Sequence, residues 1–261
     1  MRTLFTLESH ESKRLIAKAV AQLSEIKSAM TNGKIALAGG TTNGYVAEEL
    51  TGDSIDKEYY TAGIITEGIQ CTTPANKRIT PLLMDKGEAK PANLLEAVQD
   101  FGAGDVFVKG ANALDLDYNA GVLTGNNIGG TVSIYPLLTA RGCELIIPVG
   151  REKLIPSVPE AAEALGINTI DKRIGMACGM LPITYGTVIT EIEALEVLFD
   201  VSATHVASGG VGGSEGACTF TVEGEEQEVE QAFELIKQLK QEPTLGGEKT
   251  VCAECGNPCD K

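Results

Sequence analysis

Cys252, Cys255 and Cys259 fall in the pattern C-x2-C-x3-C, within the stretch "VCAECGNPCDK". Thiolates are ligands for soft metal ions, and three so close in sequence can converge on one centre. Gly256 and Pro258 favour the turn this requires. Zinc would take a fourth Cys or His, for which Cys71, Cys143, Cys178, Cys218 and His205 are the candidates. A four-iron cluster would instead leave one iron open or take a remote ligand. The open position of a three-cysteine set favours an iron–sulfur cluster, with zinc as the alternative. A redox-sensitive or disordered tail is the competing reading. Seven cysteines is an odd number, which suits a reducing compartment better than a disulfide framework.

A second set of residues points to a small anion. "GGTTNG" supplies Gly39, Gly40, Thr41, Thr42 and Asn43 between an apolar run and a helical pattern. A helix N-terminus presents unpaired N–H groups, and glycine lets that backbone close on a phosphate or carboxylate. A capped strand-to-helix turn explains the same residues without a ligand. "KGANALD" places Lys109, Gly110, Asn112 and Asp115 in one loop. There the lysine can face a substrate oxygen, and Asp115 can act as a general base if burial raises its pKa. "GNNIGGT" offers a further cradle at Gly129, Gly130 and Thr131. Arg151 and Lys153, in "PVGREKLIPS", either neutralise a bound anion or are solvated charges at a strand end. "SGGVGGSEGA" carries Glu215 in a third glycine-rich loop, otherwise a hairpin connection or hinge. His205 and His10 read as ordinary core or surface residues.

The elements that must position these residues follow from periodicity. Apolar residues from Ser9 to Met30 recur at helical spacing and predict one helix ending at Asn32-Gly33. Strands are predicted at Lys34–Ala38, Thr61–Ile69, from Asp105, at Gly121–Thr124 and at Cys143–Gly150. Helices are predicted at Thr42–Leu50, Ala92–Phe101, after Gly129 and at Ser157–Leu165. Cys71–Pro91, with its three prolines, reads as a long, partly irregular connection. This alternation implies an α/β fold, a mostly parallel sheet with flanking helices, whose ligands sit beyond the carboxyl ends of the strands. The remainder, with strands near Ala203–Ala207 and Ala217–Val222 and an amphipathic helix at Glu225–Lys240, reads as a smaller α+β unit. The expected organisation is therefore an α/β domain over 1–200, the smaller unit over 201–245 and a Cys-rich C-terminal tail over 246–261.

The order of these loops resembles one superfamily: ribose-5-phosphate isomerases, glucosamine-phosphate deaminases, sugar-sensing repressor domains and CoA transferases. In the isomerase members "GGTT" would be the phosphate loop and "KGANALD" the loop that carries the catalytic base. "AGVLTGNNIGGTVSIYPLLTARGCELIIPVGREKLIPSV", from Ala120 to Val158, is also similar to the lactate-utilisation branch. The resemblance spans Ser9 to Val158. Glu215 is similar to the glutamate nucleophile of CoA transferases. Where isomerases carry two or more acidic residues, this chain has Ala111, Asn112 and Ala113, and Lys109 stands where an acid opens the loop. What the resemblance implies is the fold and the ligand class rather than one reaction.

The charge balance limits the partners. A formal net charge of −15 repels nucleic acid, and no basic cluster offsets it locally. An anion must then be held by backbone N–H groups and one or two placed cations. No apolar run approaches the roughly 18 residues that span a bilayer, and the opening residues lack a secretory signal pattern, so a cytoplasmic protein without membrane contact is expected. These readings lead to an isomerase- or transferase-like enzyme, with Lys109, Asp115 and Glu215 as its catalytic residues, acting on a sugar phosphate, carboxylate or CoA ester; they leave room for a homo-oligomer. The rival is a non-catalytic metabolite sensor with a metal- or redox-responsive cysteine tail.

Overall fold

The computed structural model describes residues 1–261 apart from 126–128, 257, 258, 260 and 261, and describes only the backbone of 129–132. The first third of the chain runs β1 (Arg2–Leu7), α1 (Ser9–Gln22), α2 (Ser24–Asn32), β2 (Lys34–Leu37), α3 (Thr41–Thr51), β3 (Gly63–Thr66), β4 (Ile69–Thr72), β5 (Leu82–Asp85) and β6 (Glu88–Pro91). The middle runs α4 (Leu94–Ala97), β7 (Val106–Val108), β8 (Ala113–Leu114), β9 (Ala120–Thr124), α5 (Gly129–Arg141), β10 (Glu144–Pro148) and α6 (Val158–Ala164). The last third runs β11 (Gly179–Ile183), β12 (Thr187–Ile189), α7 (Glu191–Leu198), β13 (Val201–Ser208), β14 (Cys218–Gly224) and α8 (Glu226–Leu239).

The chain folds as an α/β protein around a six-stranded sheet of order β12-β10-β7-β2-β5-β6. The first four strands are parallel, with Ile35 opposite Val106 and Leu37 opposite Val108, and the β5–β6 hairpin is antiparallel at the edge. Successive side chains of a strand face opposite ways, and both faces of this sheet are covered. Ile35, Leu37, Val106, Val108, Ile146 and Ile189 face a core shared with α1, α2, α3, α7 and α8. Ala36, Phe107, Leu145, Ile147 and Val188 face the other core, filled by Leu94 and Val98 and by Ile134 and Leu138 of α5. Smaller antiparallel sheets, β1-β14-β13 and β11-β9-β8, join these two cores respectively. Phe220, Val229 and Ile236, from the C-terminal α+β region, lie in the same buried cluster as Phe5, Leu15 and Ile35.

Three local readings change. The helix expected from Ser9 to Met30 is two, α1 and α2, because Leu23 takes an extended ψ of 141° at their junction. The strand expected over Thr61–Ile69 is the β3–β4 hairpin, turning at Glu67 and Gly68 with φ of 53° and 71°. Within the 71–91 segment, expected to be partly irregular, lies a second hairpin, turning at Lys86 and Gly87 with φ of 48° and 84°. Positive φ at both central residues is what a tight two-residue hairpin demands, and glycine supplies the second. β1, a strand not among those expected, pairs antiparallel with β14, Phe5 opposite Phe220. Among the described residues no helix is long and apolar enough to cross a membrane.

Candidate functional site

The parallel strands deliver their following loops to one edge of the sheet. Main-chain bonds extend the ladder past the strand ends: Ala38 N–H donates to Val108 O (3.0 Å), Lys109 N–H to Ile146 O (2.9 Å) and Val149 N–H to Ile189 O (3.0 Å). Asn43, fully buried in the first turn of α3, donates its amide to Ala38 O (2.6 Å) and Val108 O (3.0 Å). It therefore stitches the ends of β2 and β7 together, and its side-chain donors do not face a ligand. A Cβ at Gly110 would lie 3.3 Å from Pro148 O and 3.8 Å from Asn43 Oδ1. The loops after β2, β7 and β10 thus meet at Gly110. Gly39, Gly40 and Thr41 are half-buried, Thr42 is buried, and the Gly40 N–H is already bonded to Tyr60 O. The amides of the first turn of α3 lack intrahelical acceptors by helix geometry.

Lys109 and Lys153 fold back over this edge. Lys109 Nζ donates to Gly110 O (2.8 Å) and Lys153 Nζ to Ala111 O (3.0 Å). Lys109 keeps part of its surface open, yet protein surrounds its amine, and burial pulls its pKa from 10.5 down to about 8, helped by the like charge of Lys153. Lys13, on α1, falls to about 8 as well. Burial dominates there, Lys153 adds to the fall, and Glu152 and Glu191 act against it. Three amines therefore share one region with two carboxylates.

Glu191 opens α7, directly after β12, and is fully buried. Its Oε2 accepts the Arg151 N–H (2.9 Å), whereas among the described residues Oε1 has no hydrogen-bond partner within normal geometry, and neither has Glu152 Oε2. Burial first, and the Glu152 charge second, raise Glu191 to about 7. The Glu152 carboxylate folds over Gly150, where a Cβ would displace it. Arg151 Nε donates to His205 Nδ1 (3.3 Å). With Nδ1 accepting, the imidazole proton sits on Nε2, which faces Ala207 O (3.0 Å) and Ser208 Oγ (2.8 Å). Burial, then Arg151, lowers the His205 pKa, so the ring is neutral at neutral pH. Nearby Cys218 is pushed up to about 11, mainly by burial, and is no nucleophile.

The remaining sequence candidates lie differently. Asp115 accepts from Asp117 N (3.1 Å), Asn119 N (2.9 Å), Asn119 Nδ2 (3.0 Å) and Val158 N (3.0 Å). Burial works to raise its pKa, but these hydrogen bonds outweigh it and the pKa is lowered. The condition for a general base is not met, and the carboxylate braces the loop instead. Asn112 Oδ1 accepts from Leu123 N (3.0 Å), tying the same loop to β9. Glu215 is exposed and takes the Gly213 N–H (3.0 Å). Gly129, Gly130 and Thr131 open α5; the rest of that glycine loop, 126–128, lies outside the described residues. Lys13, Glu152 and Glu191 were not among the sequence candidates. Glu191 follows a strand of three residues, too short to show a period.

Cys252, Cys255 and Cys259 line one small cavity together with Cys71 of β4. Among the described residues no three His, Cys, Asp or Glu side chains already converge as a bound metal requires. No protein-family model matches this chain, and no curated protein sequence matches it.

Proposed function

We propose that this chain binds a small anionic metabolite at the carboxyl edge of its parallel strands and acts on it as an isomerase- or transferase-like enzyme. The observation that carries this reading is the gathering of Lys109, Lys153 and Lys13 in an otherwise acidic protein, two of them held near a pKa of 8. A folded chain keeps such amines partly desolvated at a cost, and an incoming anion is what relieves it. Sugar phosphates, carboxylates and CoA esters share the chemistry these amines and the α3 amides would recognise. Glu191, with a pKa of about 7 and one oxygen without a hydrogen-bond partner among the described residues, is the group best suited to hold and release a proton near neutrality. The sensor alternative draws support from Asp115 and Glu215, since hydrogen bonds within the chain already engage both carboxylates.

Thermal-shift titration with inorganic phosphate, sugar phosphates, simple carboxylates and CoA esters tests the binding. At least one probe should stabilise the full chain, and Lys109→Met together with Lys153→Met should abolish the effect. Unchanged stabilisation in that double variant, or none by any probe, removes the reading. Turnover assays on the stabilising probe then separate enzyme from sensor: Glu191→Gln should lower turnover while binding persists.

A further inference from the structure

The tail does not hang free. Thr250 N–H donates to Thr72 O (2.8 Å), Thr250 Oγ1 to the same carbonyl (2.9 Å), and the two threonine hydroxyls meet at 3.2 Å. Glu248 takes Lys77 Nζ (2.6 Å) and Tyr59 OH (2.8 Å), and Lys249 pairs with Glu67 at the tip of the β3–β4 hairpin. These contacts lay residues 248–250 along the hairpin and bring the cysteines that follow to Cys71. The opposite wall is equally tight. Met176 N–H donates to Gln70 O (2.8 Å), Gln70 Nε2 donates to Met176 O (3.1 Å), and a Cβ at Gly175 would lie 2.6 Å from Gln70 O. Gly175, with φ of 95°, is the residue that allows this approach.

The space enclosed is about 20 Å³ and is lined by Cys71, Cys252, Cys255 and Cys259. We infer that these four cysteines form a closed tetrahedral zinc site that staples the tail to the β3–β4 hairpin. Four thiolates complete the coordination shell zinc prefers in structural sites. A four-iron cluster would also take four cysteine thiolates, so the metal analysis below decides between it and the single zinc ion inferred here. Gly256, with φ of 64° directly after Cys255, gives the turn that lets Cys259 come back to the same centre. Lys249 also lines the cavity and brings positive charge beside a tetrathiolate centre of net charge −2. On binding, each of the four thiols passes its proton to solvent as its sulfur–zinc bond forms, so the site loads less readily as pH falls. The four cysteines line the space, and the cation supplies the attraction that draws the sulfurs to bonding distance.

The test uses the full chain purified under reducing, anaerobic conditions. Elemental analysis should give about one zinc per chain, no iron and no visible colour. Replacement by Co²⁺ should give the intense absorption of tetrahedral cobalt with four thiolates, and Cys71→Ser should weaken the ligand field and lower zinc affinity at least tenfold. Mapping of alkylated cysteines needs no variant: zinc should protect Cys71, Cys252, Cys255 and Cys259 together, and a chelator should release all four. Iron in place of zinc, alkylation of Cys71 at the same rate with and without zinc, or failure to bind either metal would overturn the assignment. Loss of this site would leave anion binding at the strand edge testable by itself, because the cavity lined by these cysteines is not lined by Lys109 or Lys153.

Discussion

Replacing Lys109 by methionine should make the protein more stable, an unusual result for a polar residue in a loop. A lysine lowered from 10.5 to about 8 resists protonation in the folded state, whereas the unfolded chain accepts the proton at the ordinary pKa. Folding then carries the whole penalty below pH 8 and loses it progressively as pH rises from 8 to 10.5. The penalty is about 3 kcal/mol at pH 7 and about 1 kcal/mol at pH 10. Methionine has a similar length and carries no charge, so it removes this term. It also forfeits the hydrogen bond from Nζ to Gly110 O, worth about 1 kcal/mol. Lys109→Met should therefore be about 1–2 kcal/mol more stable than wild type at pH 7, and the difference should shift by about 2 kcal/mol against the variant by pH 10. Urea unfolding of both proteins at the two pH values, with equal m-values, measures this directly. A variant less stable by the same amount at both pH values would refute it, since the amine would then be a neutral structural donor or a well-paired ion.

Glu191→Gln should act in the mirror sense: wild-type stability falls as pH rises from 4.5 to about 7, and the variant should lack that slope and be up to about 3 kcal/mol more stable at pH 8 by urea unfolding. Asp115→Ala should destabilise by about 2–4 kcal/mol, because four donors lose their acceptor, and proteolysis should then cut first within the 115–119 turn. Since hydrogen bonds hold the Asp115 pKa low, its contribution is present above the ordinary carboxylate range and disappears on acidification, which acid unfolding of the variant should reveal as a missing transition component. Arg14 on α1 binds Glu48, Glu49 and Glu242 and stacks on Tyr45 at 4.6 Å. Arg14→Ala should lower stability by about 3–5 kcal/mol in chemical denaturation by leaving carboxylates uncompensated, and Arg14→Lys should recover only part of that.

The fold class was legible because apolar runs such as "KIALA" and "CELIIPVG" are buried on both faces, and such runs between helical patterns imply parallel strands. The loops at Gly39, Lys109 and Arg151 were legible for the same reason: they follow those strands. The hairpins were hidden because their turns use Glu67-Gly68 and Lys86-Gly87, pairs weaker as signals than Asn-Gly. Lys13 was hidden by its neighbour: beside Arg14 it reads as a solvated pair, and only the packing of α1 beneath Glu152 and Glu191 turns it inward. The bracing role of Asp115 was not legible, because sequence shows a carboxylate in a polar loop but not the four donors that surround it. Cys71 was one of five candidate fourth ligands, and its nearness to the tail comes from the bonds between Thr72 and Thr250, which no sequence pattern shows.

The proposed capture of a small anion by buried, reluctantly charged lysines predicts proton uptake on binding. Calorimetric titration at about pH 8.5 in two buffers of different ionisation heat, using the most stabilising phosphate or carboxylate probe, measures the protons taken up on binding. With Lys109 and Lys13 mostly neutral in the free protein, uptake of about one to one and a half protons is expected, falling by about half in Lys109→Met. Binding without proton uptake, or equal uptake in the variant, would contradict it.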